Sequence, residues 1–342
     1  MGLDRWLSKQ NPAYRPVLQS TTHKWVVLFL YLLTERTVSM KKRTLFLILM
    51  HIAILSAMAL GVLKFSEEIT ALKSSGYGFL QQAKSGPAVT FADVEDLAPF
   101  EGNVDVWHNR CDLIYHAAGG LDGLDYSNSR DALEHTLALG NRFIEIDFRY
   151  TSDGQLVCAR DWADITKDGT APSSEDFRDL KIYGKFATMT GRDLIGFMEA
   201  YPDLYIIIDT KENGAVQVVT DLAALCEGDE TILSRFIIQL YDFESKAAIV
   251  EAYPFPDDQF LFTAYKYGTG KPAEILKNCY EQNIRVITVP HGAWSDQVIA
   301  HFTEKGFVLY EHTVNRPDEA REALARGIRG LYTDFLSPTD LT

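Results

Sequence analysis

Closely spaced cysteines are missing from this 342-residue chain: Cys111, Cys158, Cys226 and Cys279 stand far apart, with no CxxC pair and no Cys/His cluster among them. That spacing excludes a thiolate zinc site and a dense disulfide framework. Because unpaired cysteine is among the most buried residue types, four core thiols are expected. Positive charge is also scarce. With 33 Lys and Arg against 47 Asp and Glu, the formal net charge is −14. No basic face is visible to hold a polyanion, so neither DNA nor RNA is an expected partner. Hydrophobic residues are not lacking: at 46%, with 16 Tyr and 19 Phe, they suffice for a large packed core and exclude a disordered chain. The length fits two domains, or one α/β barrel of roughly 250 residues behind an N-terminal appendage.

The longest apolar run is Thr44–Phe65, in which only His51 and Lys64 are titratable. It has the roughly 20-residue length that crosses a bilayer as a helix. Its apolar residues encircle the helix instead of forming one stripe, which argues against a buried core helix. Lys41, Lys42 and Arg43 precede it, and Glu67 and Glu68 follow. The positive-inside bias therefore leaves the N-terminus cytoplasmic and the bulk of the chain outside. A cleaved signal peptide starting at Met40 and ending near Ala57-Met58-Ala59 is the alternative. The run Trp25–Leu33 is too short to span and reads as interfacial, or as leader upstream of a start at Met40. The expected plan is a cytoplasmic or interfacial segment over 1–43, a transmembrane anchor over 44–65, a stalk or docking segment over 66–109, and an extracytoplasmic catalytic domain over 110–342.

In that last part, β-branched and aromatic runs alternate with stretches of helical length and spacing. The predicted strands are Leu113–Tyr115, Phe143–Phe148, Leu204–Asp209, Phe236–Tyr241, Phe260–Tyr265, Val286–Val289, Phe307–Val314 and Ile328–Asp334. Seven predicted helices, from Ser129–Leu139 to Pro317–Arg326, lie between them. Strand and helix alternating eight times is the pattern of a (β/α)₈ barrel. An open doubly wound sheet is the alternative, because periodicity does not show closure. Barrel sites lie at the C-terminal ends of the strands.

There the chemistry-bearing residues collect. The period of two puts Glu145 and Asp147 on one face of the second strand, and Asp209 and Lys211 on one side at the end of the third. Adjacent strands lie about 4.8 Å apart, so three such carboxylates in a poorly solvated site repel strongly unless a cation or a proton neutralises them. All-oxygen ligation favours Mg²⁺ or Ca²⁺ over zinc or copper. Lys211 adds a charge suited to a phosphate oxygen. His116 ends the first strand before a glycine turn, where a histidine moves protons near neutral pH. Asn128-Ser129 reads as an N-cap for the helix that follows.

The ordered set His116-Ala-Ala-Gly-Gly120, Asn128-Ser129, Phe143-Ile-Glu-Ile-Asp147, Thr151-Ser-Asp-Gly154, Asp161-Trp162, Asp209-Thr-Lys211, Thr313-Val-Asn315 and Thr333-Asp334 resembles the glycerophosphodiester phosphodiesterase family, within the phosphatidylinositol-phospholipase-C-like barrels. The resemblance covers nearly all of residues 110–337. It implies a TIM barrel, a divalent metal on Glu145, Asp147 and Asp209, and acid/base catalysis by two histidines, of which His116 matches the first. It departs at the second. Arg160 stands where the family has a histidine, and Ala117 where it usually has an arginine. Arginine stays protonated, so Arg160 offers charge and hydrogen bonds but no base; the expected role is a phosphate clamp. The second proton then falls to His312, with His291 behind it.

The expected function is a metal-dependent phosphodiesterase acting on glycerophosphodiesters, or on a lipid headgroup or glycan bearing a phosphodiester. The alternatives are a phosphodiester-binding protein with impaired catalysis, and a lyase of the sphingomyelinase D type that releases a cyclic phosphate.

Overall fold

The computed structural model describes residues 89–102, 106–210 and 214–341. The predicted membrane segment 44–65 and its flanks, and Lys211, lie outside these described residues. Among the described residues no helix is long and apolar enough to cross a membrane.

Eight parallel strands form the frame: β1 (Leu113–Tyr115), β2 (Phe143–Tyr150), β7 (Tyr205–Thr210), β8 (Phe236–Leu240), β9 (Phe260–Thr263), β10 (Val286–Pro290), β11 (Val308–His312) and β12 (Gly330–Thr333). Each pairs with its neighbour in chain order. Pairing of β12 with β1 and of Tyr115 with Ile144 closes the ring. The sheet is therefore a closed barrel, and the open doubly wound alternative is excluded. Three short strands, β3 (Leu156–Cys158), β4 (Lys181–Ile182) and β5 (Phe186–Ala187), together with β6 (Met189–Thr190), belong to an insertion after β2; β3 runs antiparallel to β2 and β6 to β3.

Alternation along each strand divides the core into two layers. Ile144, Ile146 and Phe148 of β2, Ile206 and Ile208 of β7, and Phe260 and Phe262 of β9 face the surrounding helices. Ile114, Ile207, Ile237, Leu261, Val286, Tyr310 and Tyr332 pack together inside the barrel. Because both faces are buried, the strands are nearly continuous apolar runs. The helices start where the chain supplies caps. Ser129 accepts from the Ala132 N–H, Thr190 and Asp193 form a reciprocal capping box, and Pro272 and Pro317 stand in the first turns of their helices. All four cysteines are buried and free.

One predicted strand ends well short of its expected boundary. The run Phe260–Tyr265 leaves the sheet after Thr263 and turns into a short helix, Ala264–Tyr267, so Tyr265 projects at the rim with 64% of its surface exposed. The one polar residue of this run, Thr263, stands as the N-cap of that helix, a weak mark in an otherwise apolar and aromatic run. At the other end, the compact unit begins at Ala88. Phe100 packs against Tyr280 and Phe307. Trp107 enters the inner layer at the N-terminal end of the barrel, stacking on Tyr310 and donating from its indole to the Asp258 carbonyl.

The inner layer is tight at Gly330, where a Cβ would stand 2.6 Å from the Tyr310 ring and 2.7 Å from the Asp112 carbonyl oxygen. Gly330→Ala is expected to destabilise the protein by about 1–3 kcal/mol through overpacking, read as a lower midpoint in denaturant. An unchanged midpoint would show that the lumen has room to relax.

Candidate active site

Strand parity brings three acids to one place. Asp147 on β2 and Asp209 on β7 are direct partners across the two strands, and Glu145 stands two residues before Asp147 on the same face. Each offers a carboxylate oxygen within 4.8 Å of the others, and the three residues are only 1%, 0% and 4% exposed. A hard divalent cation fits this donor set by charge, by oxygen chemistry and by spacing.

The loop after β1 organises two of these acids. The Ala117 backbone N–H donates to Glu145 Oε2 at 2.6 Å. The Asn128 side chain clamps Asp147 twice: Nδ2 donates to Oδ2 at 2.8 Å, and Oδ1 accepts from the Asp147 backbone N–H at 2.8 Å. The cap of the following helix is Ser129 alone; Asn128 is a site residue, which corrects the reading of the pair as a cap. On the third acid, Tyr241 donates to Asp209 Oδ2 at 2.7 Å. Burial and the neighbouring Asp209 charge push the Tyr241 phenol far above its ordinary range, so it stays a donor.

His116 sits where β1 meets this loop. Its Nδ1 lies 3.0 Å from Asp334 Oδ1, and its Nε2 faces Glu145 Oε2 at 4.0 Å. Asp334 is itself held. Asn315 Nδ2 donates to its other oxygen at 2.7 Å, while Asn315 Oδ1 accepts from the Asp334 backbone N–H at 2.8 Å. A carboxylate only accepts, so the pairing places a proton on Nδ1 and leaves Nε2 to the cleft.

A cleft of about 420 Å³ opens over these groups, lined by His116, Glu145, Asp209, Arg160, His312, Gln239 and Tyr332 among others. Arg160 comes from the end of the insertion strand β3, with its guanidinium carbon 3.7 Å from the centre of the Tyr126 ring. Burial opposes its charge, but Asp147, Tyr126, Glu145 and Asp209 outweigh that and hold its pKa above the ordinary value. His312 lines the cleft at the end of β11, diametrically across the barrel from the Asp209 strand. His291 does not line it: its Nδ1 is 2.5 Å from Glu311 Oε2, a fully buried carboxylate that also faces Arg326. Strand parity explains the difference, since Pro290 and His312 point inward whereas His291 and Glu311 point to the helical layer.

The structure thus brings His116, Glu145, Asp209, Arg160 and His312 to one cleft, with Asp147 beside two of these acids; the sequence gives no role to Tyr126 or Tyr241, only a cap to Asn128, and to Asp334 only a place in the family resemblance. Two of these had a visible signal. Tyr241 has the parity of Gln239 on β8, and Asp334 follows the last strand directly, as Asp209 closes β7.

No protein-family model and no curated protein matches this sequence. Solved structures do resemble the fold. A phosphodiesterase of Oleispira antarctica, solved in complex with the product sn-glycerol-3-phosphate, aligns over 68% of this chain and 95% of its own, with 14% identity and a TM-score of 0.54. A glycerophosphoryl diester phosphodiesterase of Parabacteroides distasonis aligns over 74% and 91%, with 16% identity and a TM-score of 0.52. A glycerophosphodiester phosphodiesterase of Agrobacterium tumefaciens aligns over 67% and 98%, with 16% identity and a TM-score of 0.51. The chain therefore has the TIM-barrel fold of glycerophosphodiester phosphodiesterases, and its resemblance to that family holds at the level of fold.

Asn128 touches no ligand position itself but fixes a candidate ligand. Asn128→Ala is expected to weaken Mg²⁺ or Mn²⁺ binding about 10–100-fold without a comparable loss of stability, measured by calorimetry beside a thermal melt. Unchanged affinity would mean that Asp147 needs no clamp.

Proposed function

We propose that this protein is a metal-dependent phosphodiesterase acting on a glycerophosphodiester, or on a lipid headgroup or glycan carrying the same linkage. The observation that supports this most is the convergence in one cleft of a buried three-carboxylate cluster, a histidine oriented by Asp334, and a fixed arginine charge. When bound by Glu145, Asp147 and Asp209, a divalent cation supplies charge neutralisation and polarisation of the phosphate.

The chain's own groups supply the rest. With Nδ1 committed to Asp334, His116 exchanges protons at Nε2, taking one from an attacking hydroxyl or giving one to the leaving oxygen. Asp334 keeps the ring oriented and offsets the charge it gains. Arg160 holds a non-bridging phosphate oxygen and stabilises charge as the phosphorus centre reacts. It moves no proton, so the second transfer belongs to His312, which lines the same cleft. Residues 44–65 tether the domain to a membrane, with the cleft on the extracytoplasmic side.

Arg160 also favours a second reading, in which the chain binds phosphodiesters without turning them over. Turnover of bis(p-nitrophenyl) phosphate by wild type, Arg160→Ala, Arg160→His and His312→Ala separates the two. Arg160→Ala is expected to lower kcat/KM by about 100-fold, the scale of losing one transition-state donor, and His312→Ala to lower kcat by a similar factor. An inert wild type whose Arg160→His variant turns over would establish the binding role instead. Phosphorus NMR of a glycerophosphodiester reaction reads the product directly: a persistent cyclic phosphate would replace hydrolysis with lyase chemistry.

A further inference from the structure

Arg160 presents a physical difficulty. Three carboxylates buried within 4.8 Å of one another attract any nearby cation, and Asp147, Glu145 and Asp209 all raise the Arg160 pKa. A guanidinium free to move would fold onto them and form paired hydrogen bonds. There it would neutralise the ligands a divalent ion needs, and it would be lost to a phosphate. Yet among the described residues Arg160 makes no ion pair within 4.0 Å with any of the three. Its guanidinium carbon stands over the Tyr126 ring instead, 3.7 Å from the ring centre, well inside the roughly 6 Å over which cation–π attraction acts.

Tyr126 is held in place at a cost. Its φ is +56°, a region that a bulky L-residue rarely occupies. Such a conformation persists where the surroundings over-determine it, and it clusters at functional sites. The surroundings do so here. The Asn128 N–H donates to the Ala117 carbonyl at 2.9 Å and the Gly120 N–H to the Asp334 carbonyl at 2.6 Å, while Leu121 and Leu124 bridge each other within the loop. From the insertion, Tyr183 donates to the Asp125 carbonyl at 3.0 Å and Lys185 pairs with Asp122. The ring's other neighbour is His116, whose own ring meets it at 4.5 Å between centroids with an angle of 84°.

We propose that Tyr126 is a positioning residue: its ring holds the Arg160 guanidinium off Glu145, Asp147 and Asp209, so that the guanidinium does not compete with a divalent cation for them and stays available to a phosphate oxygen. The role assigned to Tyr126 rests on the phosphodiester reading of the cleft. It makes Arg160 a conditional group, useful with the ring beside it and inhibitory without it.

The test uses the full chain and calorimetric titration with Mn²⁺ alone and then with inorganic phosphate at saturating Mn²⁺, so it does not depend on turnover. Tyr126→Gly removes the ring and suits the positive φ, which protects folding; Tyr126→Phe retains the ring. Tyr126→Gly is expected to weaken both Mn²⁺ and phosphate about tenfold, in the range of a desolvated cation–π contact, whereas Tyr126→Phe stays near wild type. Adding Arg160→Ala to Tyr126→Gly is expected to restore Mn²⁺ affinity to the wild-type value or better while phosphate binding stays weak. This rescue is the signature that a merely structural role would not produce. An equal loss of Mn²⁺ affinity with and without Arg160, or a Tyr126→Phe variant as impaired as Tyr126→Gly, would overturn the proposal. Parallel assays on bis(p-nitrophenyl) phosphate keep the two claims apart. The binding pattern without turnover would uphold Tyr126 and remove catalysis, turnover without the pattern would do the reverse, and a wild type that binds no phosphate would contradict both.

Discussion

Mutual repulsion among Glu145, Asp147 and Asp209 is the constraint on which the rest of the site depends. Two unit charges about 4.8 Å apart repel by about 3 kcal/mol at an effective dielectric constant of 20, and burial strengthens this. The barrel imposes that closeness through β-sheet register, because Asp147 and Asp209 are paired across two parallel strands and both face the lumen. Among the described residues, three polar groups answer to it directly. The Ala117 N–H, the Asn128 amide and the Tyr241 hydroxyl each donate to one of the three acids. They orient the oxygens, and a divalent cation is suited to offset the charge that three such carboxylates share.

The loop after β1 carries much of this organisation, and its backbone is unusual. Ala117, Ala118, Asp122, Tyr126 and Asn128 all have positive φ. These are strained conformations for residues with side chains, and they aim the Ala117 N–H, the Asn128 amide and the Tyr126 ring into one small region. The insertion after β2 serves the same end from the other side: it delivers Arg160 and ties the loop down through Tyr183 and Lys185. A rigid barrel supplies the acids, and two tethered segments supply the groups that tune them.

Much of this was legible in the sequence because it follows from period. The strands from Phe143 and Tyr205 announce themselves by β-branched and aromatic residues, and their parity alone places Glu145, Asp147 and Asp209 on one face. The same parity, applied to β10 and β11, separates His312 in the cleft from His291 outside it. What escaped is local backbone geometry. Asn128 beside Ser129 looks like a helix cap, and only its φ of +49° turns the amide toward Asp147. Nothing in the residue type of Tyr126 foretells a left-handed turn, and within the run Phe260–Tyr265 only Thr263, the N-cap of the short helix, marks the bend. Such features depend on contacts between segments remote in the chain.

The central claim is that the carboxylate cluster is a cation site and that the rest of the cleft is built around it. A crystal grown with Mn²⁺ and measured near the manganese absorption edge tests it most directly. The account predicts one strong anomalous peak within coordinating distance of Glu145, Asp147 and Asp209. A manganese ion bound elsewhere in the cleft, with these three carboxylates leaving it unligated, would contradict it.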